Sequence, residues 1–117
     1  MIVLKNSSEL ALMRIAGRIS AQALQVGGEM VRPGVTTGQI NRKIQNFIQS
    51  QDAIPSFLGY GGFPASACIS INDTVIHGIP GDQVIKEGDI VSIDVGAIYK
   101  GFHGDNAATF PAGKISA

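Results

Sequence analysis

The stretch GDIVSIDVGAIYKGFHGD, residues 88–105, decides the fold of this chain. Its first half is apolar and rich in β-branched residues, which is typical of a buried strand. A turn near Lys100 then lets residues 102–110 return as the partner strand of an antiparallel hairpin. This hairpin would place Asp94 within an apolar strand. Burying an unpaired carboxylate is costly, so we expect a compensating group near Asp94.

A second aspartate, Asp105, lies eleven residues after Asp94. A two-residue turn at Lys100-Gly101 would place the two diagonally on one face of the sheet, and a turn at Tyr99-Lys100 would place them directly opposite each other. A three-residue loop would separate them onto opposite faces. Carboxylates that share a face repel unless one is protonated or a cation lies between them. A site for Mn²⁺, Zn²⁺ or Fe²⁺ is one interpretation, and two exposed aspartates near a turn are the other.

The segments before the hairpin indicate the fold class. Apolar residues recur every three or four positions over residues 12–30 and again over 40–48, which predicts two amphipathic helices. Thr36 and Gln39 have the spacing of a capping box at the start of the second helix. Shorter β-type runs follow, beginning with residues 67–71. This order predicts an α+β fold in which two helices pack on a mainly antiparallel sheet.

The composition restricts the function classes. Nine basic and nine acidic residues balance, so the chain has no overall charge with which to attract nucleic acid or an anionic membrane. No apolar stretch is long enough to span a bilayer. Cys68 is the single cysteine, which rules out an intrachain disulfide and fits a reducing compartment. We therefore expect one cytoplasmic domain with no nucleic-acid or membrane partner.

The chain has two histidines, His77 and His103. His77 lies where an apolar run, residues 74–80, ends in a Gly/Pro turn, and sites are often built at such strand ends. His103 lies two residues before Asp105, so both side chains would point to the same face of a strand. A metal ligand, a supporting partner and a solvent-facing side chain are all compatible with that position.

Several motifs resemble those of type I methionine aminopeptidases, in the same order along nearly the whole chain. They are RPGVTT at 32–37, FLGYGGFP at 57–64, VIHGIP at 75–80, GDIVSIDVG at 88–96 and GFHGD at 101–105. Gly61 stands where some members have histidine. The resemblance implies that residues 1–117 form the N-terminal half of a pita-bread fold. That fold is an α/β architecture of two pseudo-symmetric halves around a dinuclear metal site.

The resemblance also implies roles for individual residues. Asp94 would bind one metal ion, and Asp105 would bridge two divalent ions, which are Co, Mn, Fe or Zn in this family. His77 would hydrogen-bond the substrate and stabilise the transition state. The residues that match the methionine side-chain pocket are Tyr60, Phe63 and Cys68. Loop anchoring for Tyr60 and Phe63, and core packing for Cys68, remain the alternatives, whereas His103 matches a position that is not a ligand.

The activity implied is metal-dependent removal of the initiator methionine from nascent proteins and methionyl peptides when the next residue is small. A related proline-directed peptidase and a non-catalytic pita-bread binding or assembly module are the alternatives. The family completes its site with a histidine and two glutamates from the second half, and residues 1–117 contain no match to those motifs. We therefore expect these residues alone to be inactive, and to associate with themselves or with a complementary half-domain.

Overall fold

The computed structural model describes residues 7–58, 65–72 and 79–113. Within these ranges two helices precede four strands, in the order α1 (Ser7–Glu29), α2 (Thr37–Ser50), β1 (Ile54–Pro55), β2 (Ala67–Ile71), β3 (Ile90–Tyr99) and β4 (Phe102–Pro111). The predicted α+β class, with two helices on an antiparallel sheet, is confirmed. Within the described ranges, no helix has the length and apolar character needed to cross a membrane.

Helix α2 begins at the predicted capping box. The Gln39 N–H donates to Thr36 Oγ1 at 3.1 Å, and the Thr36 N–H donates to Gln39 Oε1 at 2.8 Å, so two N–H groups that the helix leaves unpaired are satisfied. The helix ends at Ser50. Helix α1 packs tightly against α2 because Gly27 has no Cβ, and a Cβ there would lie 2.6 Å from the side chain of Ile44.

Strand β3 is the centre of the sheet. It pairs antiparallel with β4 along its whole length, with β2 over residues 91–95 and with β1 at Ala97 and Ile98. Strand β1 was not predicted, because it has two residues and one of them is Pro55, which lacks the N–H that a ladder normally uses. The predicted strand over residues 67–71 is confirmed.

The two faces of β3 differ in burial. Alternate residues face the helices and are buried, and they are Val91, Ile93, Val95 and Ala97. These side chains pack against apolar residues of the helices, chiefly Ile19, Ile40, Ile44 and Ile48. Ser92 and Asp94, which lie between them, are on the other face and are more exposed. We call this the open face of the sheet.

Helix α1 lies directly on β4. A Cβ added at Gly104 would lie 2.3 Å from the carbonyl oxygen of Ala16, so only glycine permits this approach. Two residues further on, Asn106 Oδ1 accepts a hydrogen bond from the buried Ser20 hydroxyl. Because side chains alternate along a strand, Asp105 lies between these two contacts and faces the open side. Packing of α1 on one face therefore positions a carboxylate on the other.

Candidate metal centre

A two-residue turn at Lys100-Gly101 sets the geometry of the site. Both residues have positive φ, 48° and 87°, as the tight turns of two-residue hairpins require. Tyr99 consequently pairs with Phe102, which is one of the two predicted registers. Asp94 lies opposite Ala107, and the sheet places Asp105 diagonally across from it.

Asp94 lies in the middle of a row that crosses three strands. Its neighbours in that row are Cys68 on β2 and Ala107 on β4. Asp105 belongs to the next row, opposite Gly96. Asp94, Asp105 and Cys68 therefore share the open face, although they come from three separate strands.

The carboxyl group of Asp94 is in an unfavourable environment for a charge. Burial, followed by the hydrogen-bonding and Coulombic influence of Asp105, raises the pKa of Asp94 to about 6. Asp94 Oδ1 is buried and, within the part of the chain that the structure describes, has no hydrogen-bond partner. A buried oxygen acceptor next to a second carboxylate is suited to binding a cation, since a cation would satisfy the oxygen and offset the repulsion.

The Cys68 thiol responds to the same surroundings. Burial raises its pKa, and the negative charges of Asp94 and Asp105 raise it further. The thiol therefore stays protonated at neutral pH, whereas nucleophilic and metal-binding cysteines act as thiolates. A protonated, partly exposed thiol is suited to lining a surface that contacts an apolar side chain.

A cleft of about 330 Å³ adjoins Asp105. Its walls come from β4 and from the segment after β1, and they are Ser56, Phe57, His103, Gly104 and Asp105. The Ser56 N–H donates to the Gly96 carbonyl at 3.0 Å, which holds this segment over the sheet. Sequence reasoning gave no role to Ser56 or Phe57, because their position depends on the unpredicted pairing of β1 with β3. His103 is exposed at the rim, on the same face as Asp105.

The other predicted site residues, His77, Tyr60 and Phe63, lie outside the described residues. Among residues 7–58, 65–72 and 79–113, no group of three or more His, Cys, Asp or Glu side chains comes together to hold a metal ion. Asp94 and Asp105 fit a divalent cation by their chemistry and by the unpartnered Oδ1. They amount to two side-chain ligands, which is fewer than a catalytic metal centre normally has.

The chain is similar to known metallopeptidases. The sequence matches the metallopeptidase family M24 over residues 11–117. A methionine aminopeptidase of Clostridium acetobutylicum is 52% identical over 117 residues, which are 99% of this chain and 47% of that protein. The chain thus spans about half the length of the curated relatives that it matches.

Solved structures of metallopeptidases also resemble this chain, again over about half of their length or less. A methionine aminopeptidase of Rickettsia prowazekii superposes with a TM-score of 0.92 at 43% identity, over 99% of this chain and 47% of that one. A prolidase of Pyrococcus furiosus superposes with a TM-score of 0.78 at 21% identity, over 98% of this chain and 33% of that one, and it shares the fold alone. Since the family match extends over residues 11–117, the chain belongs to metallopeptidase family M24.

Proposed function

We propose that this chain is the N-terminal half of a methionine aminopeptidase, a hydrolase that removes methionine from the N-terminus of peptides and nascent proteins. The observation that carries the proposal is the placement of Asp94 and Asp105 on one open face, with Asp94 Oδ1 buried and unpartnered among the described residues. The 52% identity to a methionine aminopeptidase favours this branch over proline-directed peptidases, since the prolidase comparison supports only a common fold.

In this proposal Asp94 and Asp105 hold divalent ions, two in a complete site, from the group Co, Mn, Fe and Zn. A bound divalent ion supplies Lewis acidity to the scissile carbonyl and to the water that attacks it. With a pKa of about 6, Asp94 is mainly ionised at neutral pH and ready to bind a cation. Below that pH, protons compete for the same oxygens.

The substrate contacts in this proposal come from the residues around the carboxylate pair. Cys68 faces the same side as Asp94 and contributes a neutral, polarisable wall for the methionine side chain. Tyr60 and Phe63 complete that wall, and His77 hydrogen-bonds the substrate and stabilises the transition state. These three assignments rest on the motif resemblance, since the residues lie outside the described part of the chain.

A complementary half is part of the same proposal. Two carboxylates are too few for two catalytic ions, and the chain spans 47% of the length of its relative. We propose that the remaining ligands come from a second half that packs beside the open face. The proposed location is the cytoplasm, which the unpaired Cys68 supports, because reducing compartments keep thiols free.

The test is to complete the site and measure cleavage. The chain is joined to the second half of the Clostridium acetobutylicum relative and assayed with Met-Ala-Ser and Ala-Pro-Ala peptides, with and without Mn²⁺. We expect Mn²⁺-dependent release of methionine that is abolished by Asp94→Asn and by Asp105→Asn. The matched control is Asp52→Asn, an exposed acid in the turn after α2. Cleavage of Ala-Pro-Ala alone would indicate a proline-directed peptidase, and metal binding without any cleavage would indicate a binding module.

A further inference from the structure

Helix α2 carries a row of polar side chains that the metal centre does not use. Thr37, Asn41 and Gln45 are spaced by four residues and so lie along one side of the helix. Each one hydrogen-bonds to a segment outside the helix. We call these three residues the polar row of α2.

Asn41 and Gln45 hold the start of β2. Asn41 Oδ1 accepts hydrogen bonds from two consecutive backbone N–H groups, at 2.8 Å from Ser66 and 3.1 Å from Ala67. Gln45 Oε1 accepts from the Ser66 hydroxyl at 2.9 Å. Ser66 and Ala67 are both fully buried, so their polar groups need partners within the protein.

Thr37 makes an equivalent contact further along the chain. Its hydroxyl accepts from the Gly81 N–H at 2.9 Å and donates to Gln83 Oε1 at 2.9 Å, and the Thr37 side chain is buried. One row of helical side chains therefore holds two separate segments. The polar row ties both to the rigid helix, which is anchored in the core by Ile40 and Ile44.

The contact at Ala67 affects the site through the register of β2. Ala67 pairs with Val95 and Cys68 pairs with Asp94, so fixing the first residue of β2 also fixes the residue opposite Asp94. Cys68 is the second residue of β2, so local detachment of the start of the strand would move Cys68 away from Asp94 and expose its thiol. Strand β2 has five residues, and so it has a short ladder with which to resist such detachment.

We propose that Asn41, supported by Gln45, is a positioning residue that fixes the start of β2 and thereby holds the Cys68 side chain beside Asp94 on the open face. The importance of Cys68 for substrate binding rests on the proposed function, whereas the register of β2 does not. The role requires one oxygen that accepts two N–H groups. A carboxylate provides such an oxygen, and an alanine does not.

The first test uses the 117-residue chain without a second half. Amide hydrogen exchange of Ser66 and Ala67 is followed by NMR, and alkylation of Cys68 is followed with iodoacetamide at fixed pH. We expect Asn41→Ala to speed both by at least ~10-fold, because two buried N–H groups lose their acceptor and the start of β2 opens locally. Asn41→Asp should restore protection, and Asn46→Ala, an exposed asparagine of the same helix, should leave both rates unchanged.

A second variant separates positioning from general stability. Ile44→Val trims the buried core of α2 and lowers the unfolding free energy without touching the polar row. If Ile44→Val exposes Cys68 as much as Asn41→Ala does, or if Asn41→Asp fails to restore protection, the positioning role is overturned. Neither readout requires peptide cleavage. A negative result here therefore leaves the aminopeptidase proposal standing, and an inactive completed enzyme leaves the Asn41 result standing.

Discussion

Asp94 and Asp105 are diagonal neighbours across β3 and β4, with Asp94 opposite Ala107 and Asp105 opposite Gly96. This relationship puts both carboxylates on the open face and leaves Asp94 Oδ1 buried without a hydrogen-bond partner in the described residues. The Lys100-Gly101 turn creates the offset, because it pairs Tyr99 with Phe102 and so determines every later pair. This arrangement favours binding of a cation, and it lowers the folding stability of the metal-free chain.

Removing the charge of Asp94 should stabilise the metal-free chain. Asp94→Asn keeps the shape and abolishes the buried negative charge next to Asp105. We expect an increase in unfolding free energy of about 1–2 kcal/mol at pH 7.5, because the pKa of about 6 reports a destabilised charge at Asp94 and partial exposure to solvent screens part of that effect. Urea unfolding in EDTA measures it, and Asp52→Asn serves as the exposed control.

The same measurement has a definite pH dependence. Because the pKa of Asp94 is raised to about 6, the native state binds more protons than the unfolded state between about pH 4 and pH 6. The contribution of Asp94 to stability therefore decreases as pH rises through that window. The advantage of Asp94→Asn should be small at pH 4 and full at pH 7.5. An advantage that is largest at pH 4 would contradict the assignment.

Two glycines of the α1–β4 contact should respond in opposite directions to the same substitution. Gly104→Ala forces a methyl group against the Ala16 carbonyl, and we expect a loss of about 1–3 kcal/mol. Gly17 follows Ala16 in α1, and a Cβ added there would meet nothing within 4 Å. We expect Gly17→Ala to raise the unfolding free energy by about 0.5–1 kcal/mol. Thermal unfolding of both variants tests this. Equal effects would mean that α1 does not lie on β4 as described.

A side-chain contact that joins the end of β2 to the start of β3 should contribute stability that is lost in acid. Asn72 Nδ2 donates to Asp89 Oδ1 at 3.0 Å, and the Lys86 N–H donates to Asp89 Oδ2 at 2.8 Å. The Lys86 N–H and then the Asn72 amide lower the pKa of Asp89. This contribution is therefore present above the unfolded-state pKa and decreases as pH falls through the lowered value.

Two variants test that contact. Asp89→Asn removes the charge, and Asn72→Gly removes the amide together with the Oδ1 that accepts the Ile90 N–H at 2.9 Å, while tolerating the positive φ of 55° at this position. Both should unfold at lower urea concentration than the wild type at pH 7. The difference should diminish in acid for Asp89→Asn, and only in part for Asn72→Gly, because the bond to the Ile90 N–H does not depend on ionisation. Asp82→Asn, an exposed acid in the preceding segment, should behave as wild type. A difference that persists unchanged in acid would separate the contact from the ionisation of Asp89.

The open face should drive self-association of the isolated chain. Ile54 is 62% exposed and Ile90 is 42% exposed, and both lie on this face. Replacing both by serine should weaken association at least ~10-fold in sedimentation experiments, because burial of an isoleucine is worth more than a tenfold change in affinity. Val84→Ser is the control, since Val84 is another exposed (50%) β-branched apolar residue and lies outside the named strands. An equal effect of Val84→Ser would argue against a specific face.

The parts of the fold that could be predicted from the sequence are those set by local signals. The Thr36–Gln39 capping box, the apolar stripes of α1 and α2, and the β3–β4 hairpin depend on residues close together in the chain. Strand β1 could not be predicted in this way, because its two residues gain their structure only by pairing with Ala97 and Ile98.

The candidate site was partly predictable for the same reason. Because side chains alternate along a strand, a two-residue turn places Asp94 and Asp105 on one face of the hairpin. The sequence did not determine which turn forms, and therefore left the register open. The contacts of Asn41 with Ser66 and of Asn72 with Asp89 depend on tertiary packing, so spacing alone does not reveal them. The regular spacing of Thr37, Asn41 and Gln45 was the one available signal. His77, Tyr60 and Phe63 remain predictions from resemblance.

Asp94 and Asp105 together form half of a divalent-metal site in this account, and the most direct test is calorimetric titration of Mn²⁺ into the 117-residue chain at pH 7.5. Weak binding to the wild type that is lost in both Asp94→Asn and Asp105→Asn, and kept in Asp52→Asn, is the predicted result. Binding that survives in either site variant, or that is equally weakened in Asp52→Asn, would contradict the claim that this pair of carboxylates holds the metal.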